Sequence, residues 1–181
     1  MKTYVAILRG INVSGKNKIK MDALKSSFSR LGFEQVHTYI QSGNVVFSYP
    51  ESRIENLEKL ITKQIFEDFG FDVPVLILSE DQLANIVENN PFIGKENIDH
   101  QFLHVTFLKE IPSDVDEEKI TSHLKAGEEF VISEGVVYLY CPHGYGKTKL
   151  TNNFFENQLK VSATTRNWKT TQKLLEMANE I

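Results

Sequence analysis

The sequence predicts an α+β fold that is duplicated along the chain, and matching segments in its two halves are the basis of that prediction. The apolar run at residues 5–11 corresponds to the run at residues 105–111, and each carries a basic residue near its end. Residues 39–47 and residues 131–139 each contain two β-rich runs around a short turn with a glycine, which is the pattern of a β-hairpin. Segments that recur in the same order indicate a repeated structural unit.

A third match joins a strand to a helix in each half. Residues 70–87 and residues 158–175 each begin with a short run of β-forming residues and continue with the periodicity of a helix. Ser79 and Asn167 stand where these helices are expected to begin, and both residue types favour the N-cap position. We therefore expect a strand followed directly by a capped helix in both places.

The remaining stretches have the apolar spacing of helices. Apolar residues recur at helical spacing over residues 21–31 and residues 54–69, as on the buried face of an amphipathic helix. The second half supplies helices near residues 115–125 and 148–159. Each half therefore has the predicted order strand, helix, strand, strand, helix, strand, helix.

This order is the ferredoxin-like, or split βαβ, arrangement followed by one extra helix. We expect residues 1–90 to be the first ferredoxin-like half, residues 101–181 to be the second half, and residues 91–100 to be the linker. In this topology the loop after the first strand and the hairpin turn lie at one end of the sheet. The loop after the third strand and the start of the trailing helix lie at the other end.

Composition limits the class of protein. The 181 residues are 41% hydrophobic, which is enough for a sizeable core, and the formal net charge of −4 argues against a protein that coats nucleic acid through bulk charge. Cys141 is the single cysteine, so no intramolecular disulfide is possible and a reducing cytoplasm is expected. No apolar run approaches the roughly 18 residues of a membrane span, and the apolar stretch near the N-terminus is too short for a signal peptide, so no membrane partner is expected. His100 and His104 lie in a segment that predicts a strand, so no metal site is expected.

Polar residues are expected to converge at the first end of the amino-terminal half. Gly10 and Gly15 allow backbone amides to approach a ligand closely, and the following helix offers its amino terminus. Arg9, Lys16 and Lys18 supply positive charge. These features suit an anion, although the same residue types are common in loops that bind nothing. The residues predicted to bind a ligand here are Arg9, Asn12, Lys16, Asn17, Ser42 and Asn44.

A second basic cluster is expected at the opposite end of the carboxy-terminal half. Residues 141–149 resemble a phosphate-binding loop, but Cys141 stands where a Walker A motif requires its first glycine. The predicted topology brings this segment to residues 164–169. The amino terminus of a helix carries a partial positive charge, which is unfavourable for basic side chains nearby. Either a bound anion or full solvation of these side chains must therefore explain their position. The residues predicted to bind a ligand here are Lys147, Lys149, Arg166, Asn167 and Lys169.

The blocks at residues 8–17, 38–47 and 144–170 closely resemble the bacterial domain-of-unknown-function family 1697. The sequence has Ser14 where similar members typically carry glycine, and Thr148 where they often carry serine. The resemblance implies a compact α+β protein made of two related halves, and it implies no particular activity, substrate or cofactor. The family's signature positions coincide with the two polar clusters.

Three functions remain open at this point. The first is binding of a small anionic or phosphate-bearing ligand, such as a nucleotide, with no cofactor and no assigned catalytic residue. The second is RNA binding through Tyr4, Tyr39, Phe47 and Tyr138 on the strands, which the acidic composition and the lack of an RNP-type motif disfavour. The third is a protein-interaction module without catalysis. The oligomeric state, and whether the two clusters share one cleft, are not determined by any motif.

Overall fold

The computed structural model describes residues 1–181 and contains two four-stranded antiparallel sheets and six helices. The chain divides into two compact units, one of Met1–Asn85 with Lys173–Ile181 and one of Ile86–Gln172. The predicted α+β class and the predicted order of strands and helices are confirmed. None of the helices combines the length and the apolar character that a membrane span requires.

The first unit has a sheet with the strand order β2-β3-β1-β4. Its elements are β1 (Lys2–Leu8), α1 (Met21–Arg30), β2 (Glu34–Tyr39), β3 (Asn44–Tyr49), α2 (Ile54–Phe69), β4 (Val75–Ser79) and α3 (Glu80–Glu88), whose last residues fall in the second unit. Every neighbouring pair of strands is antiparallel. Strand β1 lies inside the sheet and is buried from Thr3 onward, as its nearly continuous apolar sequence requires.

The core of the first unit is rich in aromatic side chains. The rings of Phe33 and Phe47 stack with centroids 4.4 Å apart, and Phe28 meets both rings edge-on. Such pairs contribute about 0.5–1.5 kcal/mol each beyond the burial of their area. The aromatic residues of α1 and β3 therefore fix the helix on the sheet.

The second unit repeats this architecture with the strand order β6-β7-β5-β8, again antiparallel throughout. Its elements are β5 (Leu103–Leu108), α4 (Glu117–Thr121), β6 (Glu129–Ser133), β7 (Val136–Tyr140), α5 (Asn152–Leu159), β8 (Ala163–Asn167) and α6 (Trp168–Asn179), whose residues from Lys173 onward fall in the first unit. Leu139, Leu150 and Phe155 are fully buried in its core.

Two helices of the second unit are shorter than the sequence predicts. Helix α4 ends at Thr121, where the side chains of Ser122 and His123 bond to the carbonyl of Lys119 at 2.7 and 2.8 Å and compete with the helical backbone. Helix α5 begins only at Asn152, because residues 145–147 form a separate 3-10 turn and the side chain of Thr151 caps the helix.

Both predicted N-caps are confirmed. The Ser79 Oγ accepts from the Gln82 N–H at 3.2 Å, and the Gln82 side chain accepts from the Ser79 N–H at 2.9 Å, which together form a capping box at α3. The Asn167 Oδ1 accepts from the Thr170 N–H at 2.8 Å at the start of α6. A strand thus passes directly into a capped helix in both units.

Candidate functional site

The loop after β1 lies against the hairpin turn of the first unit. Antiparallel pairing places Ile7 opposite Asn44, so the end of β1 meets the start of β3. The Leu8 N–H donates to the Gly43 carbonyl at 2.8 Å. The predicted proximity of this loop and this turn is confirmed.

Close packing at Gly43 joins the two segments. Gly43 has a φ of +79°, and a Cβ there would lie 2.7 Å from the Ile11 Cδ1 and 2.8 Å from the Leu8 Cβ. Ile11 itself is buried. A glycine is therefore required both by the left-handed backbone and by the approach of the loop.

Asparagine side chains shape the loop. Asn12 has a φ of 54°, and its amide donates to the carbonyls of Ile19 and Gln41, both at 2.9 Å, while its Oδ1 accepts from the Ile19 N–H at 2.9 Å. The Asn17 amide donates to the Gly10 carbonyl at 3.1 Å. These amides, which the sequence predicts as ligand-binding groups, are already committed to the protein backbone.

The turn residues Ser42 and Asn44 show a similar pattern. Asn44 is fully buried, and its amide donates to the Tyr39 carbonyl at 3.1 Å and to the Ser42 Oγ at 2.9 Å. Arg9 is half-buried, and its backbone N–H donates to the Pro74 carbonyl at 2.9 Å. The Asn44 side chain therefore links the start of β3 to the end of β2 and to the turn, and the Arg9 bond joins the end of β1 to the segment before β4.

The tip of the loop is a tight reverse turn. The Lys16 N–H donates to the Val13 carbonyl at 2.9 Å, and Ser14 and Gly15 have φ values of 50° and 77°. Two consecutive positive φ angles are a feature of the type I′ turn, which favours Gly, Asn or Asp. The turn leaves the side chain of Lys16 exposed.

Behind this turn lies an open groove of about 650 Å³. Its lining residues are Asn12, Gly15, Lys18, Ile19, Lys20, Met21, Asp22 and Gln41. Lys18 and Lys20 are exposed, and Lys20 is the N-cap of α1 without a side-chain cap hydrogen bond. No capping side chain therefore satisfies the first N–H groups of α1, which lie where the lysines converge.

Few of the residues that the sequence predicts to bind a ligand line this groove. Asn12 is the predicted ligand-binding residue that lines the groove. Lys18 was expected only to add positive charge, and Lys20 was not predicted at all, although two lysines just before a helix start could have indicated this groove. The groove combines two ammonium groups, one carboxylate at Asp22, backbone amides of a glycine turn and a helix amino terminus.

In the second unit, the predicted meeting of residues 141–149 with residues 164–169 is confirmed. Antiparallel pairing sets Tyr140 opposite Leu103 and Asn167 opposite His104. Strands β7 and β8 therefore finish at the same end of the sheet, beside the start of β5. The Tyr145 Oη donates to the Thr165 Oγ1 at 3.1 Å.

Thr165 is the centre of a polar network. Its hydroxyl donates to the Asn152 Oδ1 at 2.5 Å, so it must accept at 2.7 Å from the hydroxyl of Thr106, which is fully buried. With the bond from Tyr145, the Thr165 hydroxyl then has its one donor and both lone pairs engaged. Sequence reasoning missed this network, although two threonines on adjacent strands could have suggested it.

His104 borders the network. Its ring stacks on Tyr145 with centroids 4.8 Å apart, and its Nδ1 lies 3.2 Å from the Phe102 carbonyl. Burial lowers the pKa of His104 below its ordinary value, against an opposing effect of the Phe102 carbonyl. The imidazole is therefore neutral at neutral pH, with Nδ1 as the donor nitrogen and Nε2 as the acceptor.

Arg166 has a different environment from the three lysines of the predicted basic cluster in the second unit. Lys147, Lys149 and Lys169 are exposed, whereas Arg166 is half-buried and burial lowers its pKa to about 10. Arg166 follows Thr165 in β8, and alternate strand residues point to opposite faces, so its side chain leaves the sheet on the face opposite the Thr165 network. The Arg166 side chain and Tyr145 therefore do not share one face.

The family assignment follows from comparison with known proteins. The model of the family DUF1697, described as a protein of unknown function, matches residues 1–138. The chain belongs to the DUF1697 family. A solved structure, the conserved bacterial protein SP0830 from Streptococcus pneumoniae, is similar over 99% of each chain with a TM-score of 0.71 and 26% identity. No curated protein matches the sequence.

In this DUF1697 protein, Cys141 is a core residue. Burial raises the pKa of its thiol to about 11, with a further contribution from the charge of Glu128 and an opposing one from a Thr148 hydrogen bond. His143 is exposed, and its Nε2 lies 2.8 Å from the Ala126 carbonyl. The thiol is thus neutral at physiological pH, which does not suit a nucleophile.

The aromatic residues proposed for RNA stacking are mostly inaccessible. Tyr4, Phe47 and Tyr138 are each at most 3% exposed. Tyr4 and Phe47 belong to the core of the first unit. Buried rings offer no face on which a base could stack, so an RNA platform of the predicted kind is not formed by these residues.

Proposed function

We propose that this DUF1697 protein binds a small anionic, phosphate-bearing ligand in the groove at the amino terminus of α1. The observation that carries the proposal is the convergence of Lys18, Lys20 and the Gly15 turn on a helix start without a capping side chain. Catalysis is not part of the proposal.

Electrostatics favour an anion at this position. The amino terminus of a helix carries roughly half a positive charge, so Lys18 and Lys20 beside it add to an already positive potential. Asp22 in the first turn compensates only in part. A phosphate group would accept hydrogen bonds from the first N–H groups of α1 and pair with both ammonium groups.

The rigidity of the loop also supports binding. Asn12 and Asn17 hold the loop by hydrogen bonds to its own backbone, so the groove is formed before a ligand arrives. Preorganisation reduces the entropy that binding costs. The volume of about 650 Å³ lies within the roughly 300–1,000 Å³ typical of sites for small molecules, so a nucleotide would fit.

The predicted cluster in the second unit is the weaker candidate. The amino terminus of α6 is capped by Asn167, so fewer of its N–H groups are open to a ligand. Lys147, Lys149 and Lys169 remain exposed cations that could contribute charge. We assign the principal site to the first unit for this reason.

We also propose that each unit is a ferredoxin-like fold and that the protein works in a reducing cytoplasm. The strand orders β2-β3-β1-β4 and β6-β7-β5-β8 and their antiparallel pairing support the first point. The single, buried cysteine supports the second. The proposal keeps the predicted division of the chain into a first half at residues 1–90, a linker at residues 91–100 and a second half at residues 101–181.

The test is a thermal-shift and calorimetric titration with inorganic phosphate, ATP and a short RNA. A ligand at 100 times its dissociation constant should stabilise the protein by about 2.7 kcal/mol. The double variant K18A/K20A should lose the phosphate or ATP response. The control K59A/K63A removes two exposed lysines of α2 and should keep it. An equal response in the two double variants would refute the site, and a response to RNA alone would replace the small ligand by nucleic acid.

A further inference from the structure

Strand β6 and helix α4 enclose a second groove, which lies in the second unit. β6 comes first in the strand order, so it pairs with β7 on one side and its other edge is open. The groove has a volume of about 380 Å³ and is lined by residues 129–132 of β6 and by Glu117, Thr121 and Leu124. It therefore follows the open edge of the sheet.

An open strand edge is able to pair with another strand. Its outward N–H and C=O groups have no partner strand, and an extended peptide satisfies them by adding to the sheet. Phe130, Ile132 and Leu124 are only partly buried where they pack on the core. A strand laid in the groove would cover this remaining apolar surface.

The walls of the groove are acidic. Glu117, Glu128 and Glu129 all line it. Of two lysines nearby, Lys95 pairs with Glu129 at 3.2 Å. The ammonium of Lys125 donates to the Lys147 carbonyl and not to a carboxylate of the groove. The local charge of the groove is therefore negative.

Glu128 is the most unusual of these carboxylates. The residue is 5% exposed, its Oε2 accepts from the Lys125 N–H at 2.9 Å, and its Oε1 is buried without a hydrogen-bond partner. A buried carboxylate oxygen without a partner is costly, and a cation brought to it offsets that cost. Glu128 thus favours a positively charged occupant of the groove.

We propose that this groove docks an extended, basic segment of a partner protein, which pairs with the β6 edge and directs a lysine or arginine toward Glu128. A second copy of this chain is a poorer occupant. Pairing two β6 edges would bring two acidic walls together, and like charges at an interface are unfavourable. The groove lies wholly in the second unit and does not depend on anion binding in the first.

The test uses the capped peptide acetyl-Thr-Lys-Val-Arg-Thr-amide with the ¹⁵N-labelled full chain. Saturable chemical-shift changes are expected at the amides of residues 129–133. A peptide with alternate N-methylated residues should not bind, because it cannot form the strand ladder. A peptide with glutamates in place of Lys and Arg should not bind, because it carries the wrong charge.

Variants separate charge recognition from folding. Glu128→Gln keeps the acceptor for the Lys125 N–H and should weaken peptide binding about tenfold or more. Glu134→Gln, an exposed change in the β6–β7 turn, should leave affinity unchanged. If E128Q fails to fold, the exposed Glu117→Gln should still weaken binding severalfold. Unchanged affinity in E128Q, or in E117Q if E128Q does not fold, would overturn the proposal. Binding of either control peptide as tightly as the basic peptide, or self-association through β6, would also overturn it.

Discussion

Asparagine and glycine residues determine the shape of the candidate site in the first unit. Asn12 and Asn17 adopt positive φ angles, which asparagine tolerates better than most residues, and their amides bond to nearby carbonyls. The sequence predicted that these residues lie at a polar end. It did not predict that their amides would be used within the loop, because hydrogen-bond partners depend on the loop path rather than on residue type.

Gly43 is the residue on which the loop and turn depend most. Gly43→Ala should lower the free energy of unfolding by about 2–4 kcal/mol, because alanine is strained at a positive φ and its Cβ would overlap Ile11 and Leu8. Urea denaturation measures the loss. Gly32→Ala is the matched control, since Gly32 has a φ of +81° with open space around it and should cost only about 1–2 kcal/mol. Equal losses in the two variants would contradict the packing role.

His104 should make stability depend on pH. Burial lowers its pKa in the folded state, so the unfolded state binds a proton more readily. The stability associated with neutral His104 is fully present above the unfolded pKa of about 6.5 and is lost as the pH falls through the folded pKa.

The free energy of unfolding, measured from pH 7.5 downward, tests this expectation. His104→Gln should reduce the loss of stability on acidification relative to the wild type. The control His37→Gln replaces an exposed histidine. If both variants, or neither, lose less stability than the wild type on acidification, His104 is not the responsible group.

At the scale of elements, periodicity and capping residues predict most of the fold. Helix α2 was predicted at its observed bounds, and Ser79 and Asn167 cap α3 and α6 as expected. The predictions were least accurate for α4 and α5. There, side chains such as Ser122 bond to the backbone and end or delay a helix that apolar spacing alone would extend.

The Thr165 network connects β8 to β5, to α5 and to the Tyr145 turn. Thr165→Val should cost about 2–3 kcal/mol, because it removes three hydrogen bonds and leaves buried groups unpaired. Thr106→Val removes only one of these bonds and should cost about 1 kcal/mol. Thermal or urea unfolding compares the two. A loss for T165V no greater than that for T106V would rule out a central role for Thr165.

At the scale of the whole molecule, two units with the same strand order carry different polar features. The first unit has its groove beside the loop after β1, whereas the second has the Thr165 network at the end where β7 and β8 finish. The internal sequence matches predicted both ends. They did not predict that Lys173–Ile181 would fall in the first unit, because these matches show the order of strands and helices and not how the residues of α6 divide between units.

The most direct test of anion binding is a titration of inorganic phosphate into the ¹⁵N-labelled protein at constant ionic strength. Saturable amide shifts confined to Gly15 and to the first turn of α1 around Asp22, and absent in K18A/K20A, are the predicted result. Shifts that are weak, linear and spread over all exposed lysines would contradict the proposed site.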